Sequence, residues 1–206
     1  MTDLTLYHIA PSRSSIALWM LEEIGEPYDV RLLSMSQGEN RQPAYLAVNP
    51  MGKVPALEHR GVIITETAAI CCYLADAFPD VGLSVPIGDA RRGPYLKWLF
   101  FGPSCLEPAM IVESLKLDAP PPRARLGWGD LESVVEVISK ALARGPYLLG
   151  DQFTAADIVV GSGVRFGLKM MKVLPDRPVL VNYVTRLGER PAAKRAQAKD
   201  AELVAT

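Results

Sequence analysis

The sequence predicts a two-part chain, α/β first and all-α afterwards, and three observations carry that prediction. Short alternating apolar runs and helical stripes take turns up to Phe78. The stretch from Pro79 to Gly93 then gathers Pro79, Gly82, Pro86, Gly88 and Gly93 among polar residues, and from Pro94 onward only helical patterns follow. With 206 residues, 49% hydrophobic and 22% charged, the chain has room for one large or two modest domains with a substantial core. The expected division is 1–80, a linker over 81–93, and 94–206.

Each element follows from its pattern. Leu4, Leu6 and His8 alternate with Thr5, Tyr7 and Ile9 in a first strand, which Pro11-Ser12-Arg13-Ser14-Ser15 closes while opening a helix to Glu23 or Ile24, stopped by Gly25. Tyr28, Val30 and Leu32 alternate with Asp29 and Arg31, a second strand with one face to bury. Ser34 to Arg41, with Gln37, Gly38 and Asn40, reads as a loop. It leads to a helical turn over Ala44 to Val48 that ends at Asn49-Pro50. Two short strands, Ala56 to Glu58 and Val62 to Thr65, flank His59-Arg60-Gly61. A helix follows from Glu66 to Phe78, with Thr65 as N-cap and a stripe at Ile70, Tyr73, Leu74, Ala77 and Phe78. This order, βαβ then ββα, is that of a thioredoxin-like domain. Beyond Pro94, Tyr95, Leu96, Leu99 and Phe100 begin a helix that Pro103 and Pro108 kink, and Ala119-Pro120-Pro121-Pro122 is a stiff break. Leu131, Val134, Val135, Ile138 and Leu142 line another helix. Thr154 caps a third, with Asp157 placed to answer it, and Gly161, Gly163 and Gly167 predict close approach to a neighbour. A last helix from Val179 to Leu187 ends near Arg190-Pro191.

Composition excludes several functions. A formal charge of -1 and a pI near 6.2 leave no electrostatic footprint for nucleic acid or an anionic membrane. Three cysteines, two of them adjacent, provide neither a disulfide framework nor metal-ligand spacing, so no metal is expected and a reducing, cytoplasmic setting is. Met1-Thr2-Asp3 runs straight into a strand without a leader pattern, and the longest apolar region, Leu96 to Val112, is broken by Lys97, Pro103, Glu107 and Pro108. Cys71 and Cys72 read as small helical core residues and Cys105 as another. His8 and His59 have no partner carboxylate motif and define no site.

The chemistry concentrates in Asn49-Pro50-Met51-Gly52-Lys53-Val54-Pro55-Ala56-Leu57 and, after it, Thr65-Glu66-Thr67-Ala68-Ala69-Ile70. Proline cannot donate to a sheet ladder, so Pro55 at a strand head predicts a bend. A cis Val54-Pro55 bond would turn the Val54 N–H and C=O outward to pair with an extended ligand. The helix start aims the positive end of its dipole, with Glu66 and the Thr67 hydroxyl, at the same place. Together they read as a site for a peptide-like anion.

With these motifs in register, and with Phe153-Thr154-Ala155-Ala156-Asp157 and the closing Arg190-Pro191, nearly the whole chain resembles a cytosolic glutathione S-transferase. The resemblance implies a thioredoxin-like domain that binds glutathione as co-substrate, a helical-bundle domain supplying most of the pocket for a small hydrophobic electrophile, and a homodimer. Residue by residue, it matches Pro55 to the family's cis-proline, Val54 to the backbone pairing with the cysteinyl unit, and Glu66 and Thr67 to the γ-glutamyl end. Lys53 meets the glycyl carboxylate, with Asn40 or Gln37 assisting. Structural readings stand beside these: Lys53 as a solvated lysine, Glu66 and Thr67 as a helix cap. A thiol with a pKa of about 8.5 needs help to ionise at neutral pH, and a hydroxyl bonded to sulfur at a helix start gives it. Ser12 matches the active-site serine of theta-like, serine-type bacterial members and is the first choice. Ser14 is second, and Tyr7, at the catalytic tyrosine position of other classes, third; Arg13 is either an electrostatic support or a surface residue. Serines as caps and Tyr7 as a core residue are the alternatives. Cysteine chemistry at the first helix is excluded, since that segment holds only serines. Tyr95, Trp98, Phe101, Cys105, Met110 and Phe166 are the residues for the electrophile pocket, or helical core. Two other functions fit less well: a non-catalytic glutathione-binding interaction or regulatory module, and a glutathione-dependent isomerase or dehalogenase, whose Ser-Ser-Cys signature Ser14-Ser15-Ile16 departs from.

Overall fold

The computed structural model describes residues 2–119 and 121–204, so Pro120 of the expected proline break, and Met1, lie outside the described residues. The chain divides into two compact units, Met1–Val81 joined by Glu189–Thr206, and Gly82–Gly188.

The first unit is built on four strands, β1 Leu4–His8, β2 Asp29–Leu32, β3 Ala56–His59 and β4 Val62–Thr65, in the order β2-β1-β3-β4. β1 runs parallel to β2 and antiparallel to β3, which is antiparallel to β4. Tyr7 pairs with Ala56 and Ala56 with Thr65, so the end of β1, the start of β3 and the end of β4 meet at one end of the sheet. Between β1 and β2 lies α1, Ser14–Ile24, whose apolar residues Ala17, Leu18, Met20 and Leu21 are fully buried. It stops at Gly25, where φ is +80° and the N–H bonds the Leu21 carbonyl at 3.0 Å, a left-handed cap that glycine adopts without cost from a Cβ. β2 differs from expectation: Asp29, Arg31 and Leu32 are exposed and only Val30 is half-buried, because the strand is the sheet's edge.

After a short helix α2, Pro43–Leu46, and the β3–β4 hairpin comes α3, Thr67–Ala77. Its buried stripe is Ala68, Ile70, Cys71, Leu74 and Ala75, so Ile70 and Leu74 are buried as predicted, while Tyr73 and Ala77 are exposed and Phe78 is half-buried. Small residues let this face approach closely, and Tyr73, off the stripe, reaches sideways to bond His59 Nδ1 at 2.9 Å. Cys71 is a core residue as read, its thiol pushed up in pKa by burial.

The expectation that helices end near Arg190-Pro191 is overturned. Pro191 begins a further helix, α9, Pro191–Val204, since proline at a first helical position forfeits no hydrogen bond. α9 belongs to the first unit and packs on α1, so the structural division departs from 94–206 as one domain. Charge fixes it there: Glu23 accepts from Arg190 Nε at 2.6 Å and Nη2 at 2.8 Å, and Glu22 accepts from Arg195 Nε at 2.8 Å and Lys199 Nζ at 3.0 Å.

The second unit holds α4 Arg92–Phe101, α5 Glu107–Ser114, α6 Leu131–Leu142, α7 Ala155–Phe166 and α8 Pro178–Gly188. The Pro103 and Pro108 kink takes the form of a π-type turn over Gly102–Leu106 linking α4 to α5. Val134, Val135, Ile138 and Leu142 of α6 are buried as expected. At the head of α7 the Asp157 carboxylate accepts from the Thr154 N–H at 2.9 Å and its hydroxyl at 3.2 Å. Along α7 a methyl at Gly161 would meet Leu187, and one at Gly163 would lie 2.9 Å from Leu106, which is the close approach the glycines predict. Tyr95, Trp98 and Met110 are core, while Phe101 and Cys105 are half-buried and Phe166 is exposed. Among the described residues no helix is long and apolar enough to cross a membrane.

Candidate functional site

The shared sheet end gathers the three chain segments that the motifs single out. β1 delivers Ile9 to Ser14, β3 is entered through Lys53-Val54-Pro55, and β4 leads through Glu66 into α3. Both X–Pro bonds here, Ala10–Pro11 and Val54–Pro55, are cis; the second was expected and the first was not.

A braced turn presents Lys53 and Val54. The Asn49 side chain donates to the Lys53 carbonyl at 2.7 Å and accepts from the Met51 N–H at 3.0 Å, and the Tyr45 hydroxyl donates to the same Lys53 carbonyl at 2.6 Å. Burial pushes the Tyr45 phenol up to about 12, so it stays a donor. Asn40, expected beside the glycyl end of a ligand, is buried and donates to the Gly52 carbonyl at 2.8 Å, so it braces the turn; Gln37 is exposed. Gly52 itself has φ +61° and leaves no room for a Cβ against the Asn40 carbonyl. From this frame the Lys53 side chain is exposed. Among the described residues, neither the N–H nor the C=O of Val54 meets a hydrogen-bond partner.

Across from it, in register two residues past the Ala56–Thr65 pair, stands the head of α3. Thr65 is the last residue of β4, and the capping position falls to Glu66 instead, with no side-chain capping bond. Glu66 holds φ +67°, a sparsely populated conformation for a non-glycine residue, and is exposed; Thr67 is half-buried. The uncapped turn leaves backbone N–H groups available for an anion.

The hydroxyls at the head of α1 separate into different environments. Ser12 is half-buried, its Oγ accepting from the Ser14 N–H at 3.1 Å and lying 2.7 Å from Ser14 Oγ. Ser14 is fully buried, accepts from the Ile9 N–H at 3.2 Å, and lies 2.7 Å from His8 Nδ1. Arg13 is exposed. Tyr7 is buried against Tyr45 and Ala56, its hydroxyl donating to Glu58 Oε2 at 3.2 Å. Burial raises the Tyr7 phenol above its ordinary pKa, Arg31 draws it back, and Glu58 raises it again. His8, set aside in the sequence for want of a carboxylate, has one: its Nε2 lies 2.9 Å from Asp200 of α9, 192 residues on. His59, bonded to Tyr73, is drawn below its ordinary pKa by burial first and Arg60 second. Among the described residues no group of three or more His, Cys, Asp or Glu is arranged to hold a metal ion.

The chain is similar to known proteins. Residues 2–76 match the family model of the glutathione S-transferase N-terminal domain and residues 116–162 that of the C-terminal domain. Glutathione S-transferase 3 of Zea mays is 30% identical over 166 residues, 76% of this chain and 75% of that protein. The chain belongs to the glutathione S-transferase family. Among solved structures it is similar to the glutathione transferase URE2P6 from Phanerochaete chrysosporium in complex with oxidized glutathione, at 26% identity and TM-score 0.81, covering 98% of each chain. It is also similar to the theta class glutathione S-transferase from Xanthomonas axonopodis pv. citri with glutathione bound, at 29% identity and TM-score 0.76, covering 95% of this chain and 97% of that one. The thioredoxin-like fold of the first unit and the helical region after it are those of the family.

Proposed function

We propose that this glutathione S-transferase family member binds glutathione at the shared sheet end and ionises its thiol for attack on a small hydrophobic electrophile. One observation carries the reading: the partnerless backbone of Val54 faces the uncapped head of α3, so an extended peptide pairs with the first while its carboxylate meets the second. The residues fit each end. Lys53, held by the Asn49 and Tyr45 bonds to its own carbonyl, reaches the glycyl carboxylate; Val54 pairs with the cysteinyl unit beside Pro55; Glu66 takes the γ-glutamyl ammonium and Thr67 its carboxylate.

Of the three hydroxyls, Ser12 serves the thiol. It is half-exposed at the head of α1, whereas Ser14 is fully buried and Tyr7 is turned to Glu58. A hydroxyl bonded to the thiolate favours the charged form, and holding both reactants in place supplies much of the acceleration. That two structural neighbours hold glutathione or its oxidized form supports glutathione as the ligand of this site. A cytosolic setting and pairing of two chains belong to the same reading, and β4 leaves Val62 and Ile63 exposed for a second copy to cover.

The test is ultraviolet titration of the thiolate of bound glutathione. Wild type is expected to lower the thiol pKa below its free value, and Ser12→Ala to restore it with binding retained. Binding without a lowered pKa would leave an interaction module, and a Ser12→Ala protein that matched wild type would move the role elsewhere.

A further inference from the structure

Four side chains of the first unit form one continuous line. Asp200 Oδ1 lies 2.9 Å from His8 Nε2, His8 Nδ1 lies 2.7 Å from Ser14 Oγ, and Ser14 Oγ lies 2.7 Å from Ser12 Oγ. The line runs from α9 through a fully buried imidazole to the half-exposed hydroxyl at the head of α1. Ser15 Oγ donates to the other Asp200 oxygen at 2.7 Å and holds the carboxylate in place.

Donor chemistry fixes which way the protons point. An ionised carboxylate only accepts, so His8 Nε2 carries the proton given to Asp200, and the neutral ring then offers Nδ1 as a lone pair. Ser14 has one proton, and the 2.7 Å contact to Nδ1 takes it in preference to the Ile9 carbonyl at 3.2 Å. Ser14 Oγ is left to accept, and Ser12 donates to it. With every proton turned toward Asp200, Ser12 presents a lone pair outward. In that state Ser12 is poised to take a proton, not to give one.

We propose that this line is a proton relay that stores the thiol proton of glutathione on His8; it rests on the reading that Ser12 meets the thiol. Ser12 takes the proton from sulfur and passes its own to Ser14, and Ser14 passes its own to His8 Nδ1. One S–H bond breaks, one N–H bond forms, and two hydroxyls exchange protons. The products are a thiolate and an imidazolium facing Asp200. The hydrogen bonds linking Ser12, Ser14 and His8 Nδ1 then point the other way while Nε2 still donates to Asp200, so Ser12 donates to the thiolate it has made. The relay thus supplies both the base and the hydrogen-bond donor that a lone serine cannot supply together. Among the described residues Asp200 is the charged group bonded to the ring; α1 contributes Ser14, and β2 sets Leu32 in register with His8. His8 and Asp200 are positioning residues acting through Ser12, and they also explain why a buried histidine at the end of β1 is tied to the last helix.

The test reads the imidazole directly. The chain has two histidines, so nitrogen-15 spectra at fixed neutral pH resolve His8, with His59→Gln assigning the other. Glutathione is expected to convert His8 Nδ1 from unprotonated to protonated, while S-methylglutathione, which has no thiol proton, binds and leaves it unchanged. An Nδ1 that stays unprotonated while thiolate absorbance appears overturns the relay and leaves the Ser12 reading standing. Absence of thiolate absorbance in wild type overturns both. Asp200→Asn keeps an acceptor for Nε2 and removes the charge. It is expected to lower the thiolate fraction at fixed pH about tenfold, one pKa unit, with S-methylglutathione affinity unchanged. An unchanged thiolate fraction in Asp200→Asn counts against the relay.

Discussion

At the scale of single residues the site separates groups proposed to touch glutathione from groups that hold those groups still. Lys53 is exposed, and its carbonyl is fixed by Asn49 and Tyr45, so its ammonium adds attraction without ordering the turn. Lys53→Ala is therefore expected to raise KM for glutathione about tenfold with kcat little changed, the signature of uniform binding, in steady-state assays with varied glutathione. Tyr7 is the converse. Its hydroxyl donates to Glu58 inside the Tyr7–Tyr45–Ala56 cluster, and Tyr7→Phe is expected to cost about 1 kcal/mol of stability, by urea titration, while leaving the thiol pKa of bound glutathione as in wild type. A thiol pKa that rose in Tyr7→Phe would return the catalytic role to the phenol.

At the scale of elements, the pair α1 and α9 shows how charge holds two helices in register. Burial pushes the Glu22 carboxyl up, but hydrogen bonds from Tyr28, Arg195 and Lys199 outweigh it and bring the pKa down to about 2. The unfolded value is about 4.3, so this stabilisation is complete above that pH and is lost as pH falls through about 2. The stability gap between wild type and Glu22→Gln, from urea titrations, is therefore expected to be full at neutral pH and to shrink steadily below about pH 4. These two helices also mark where the sequence stops being legible. The strands and α1 could be read because alternation and a terminal Gly25 are local signals, and Lys53, Val54, Glu66 and Thr67 could be nominated as candidates because their motifs lie close together in the sequence. α9 could not: its buried face is Ala192, Ala193 and Ala196 amid charges, too small to register as a stripe, and Pro191 reads equally as a stop or a start. Asp200 lies on α9, so the sequence offers no carboxylate partner for His8 and assigns it no site. Thr65 misled for a different reason: its place in β4 was decided by pairing with Ala56, not by capping chemistry.

At the scale of the whole molecule, the first unit is discontinuous in sequence, and its last piece is made after the entire second unit. A chain ending at Gly188 would keep all four strands, Ser12, Lys53, Val54, Glu66 and Thr67, every residue proposed to touch glutathione. It would nonetheless leave Glu22 and Glu23 as carboxylates without their arginines, strip the cover from one side of α1, and remove the acceptor from His8. Lost packing is the costly part: the face of α1 that meets Ala192, Ala193 and Ala196 returns to water, and Glu23, 8% exposed with α9 in place, loses its arginine. The truncated chain is therefore expected to unfold at markedly lower urea in the strand-bearing unit while the helical circular dichroism of residues 82–188 persists to higher denaturant. Single replacement Arg190→Ala should reproduce part of the stability loss and leave the thiolate absorbance of bound glutathione intact, since Arg190 has no bond to His8, Ser14 or Ser12 among those the structure shows. Asp200→Asn should do the reverse. If both replacements lowered stability and thiolate together, α9 would be acting as a single brace, with no division between the residues that hold α1 and the one that faces His8.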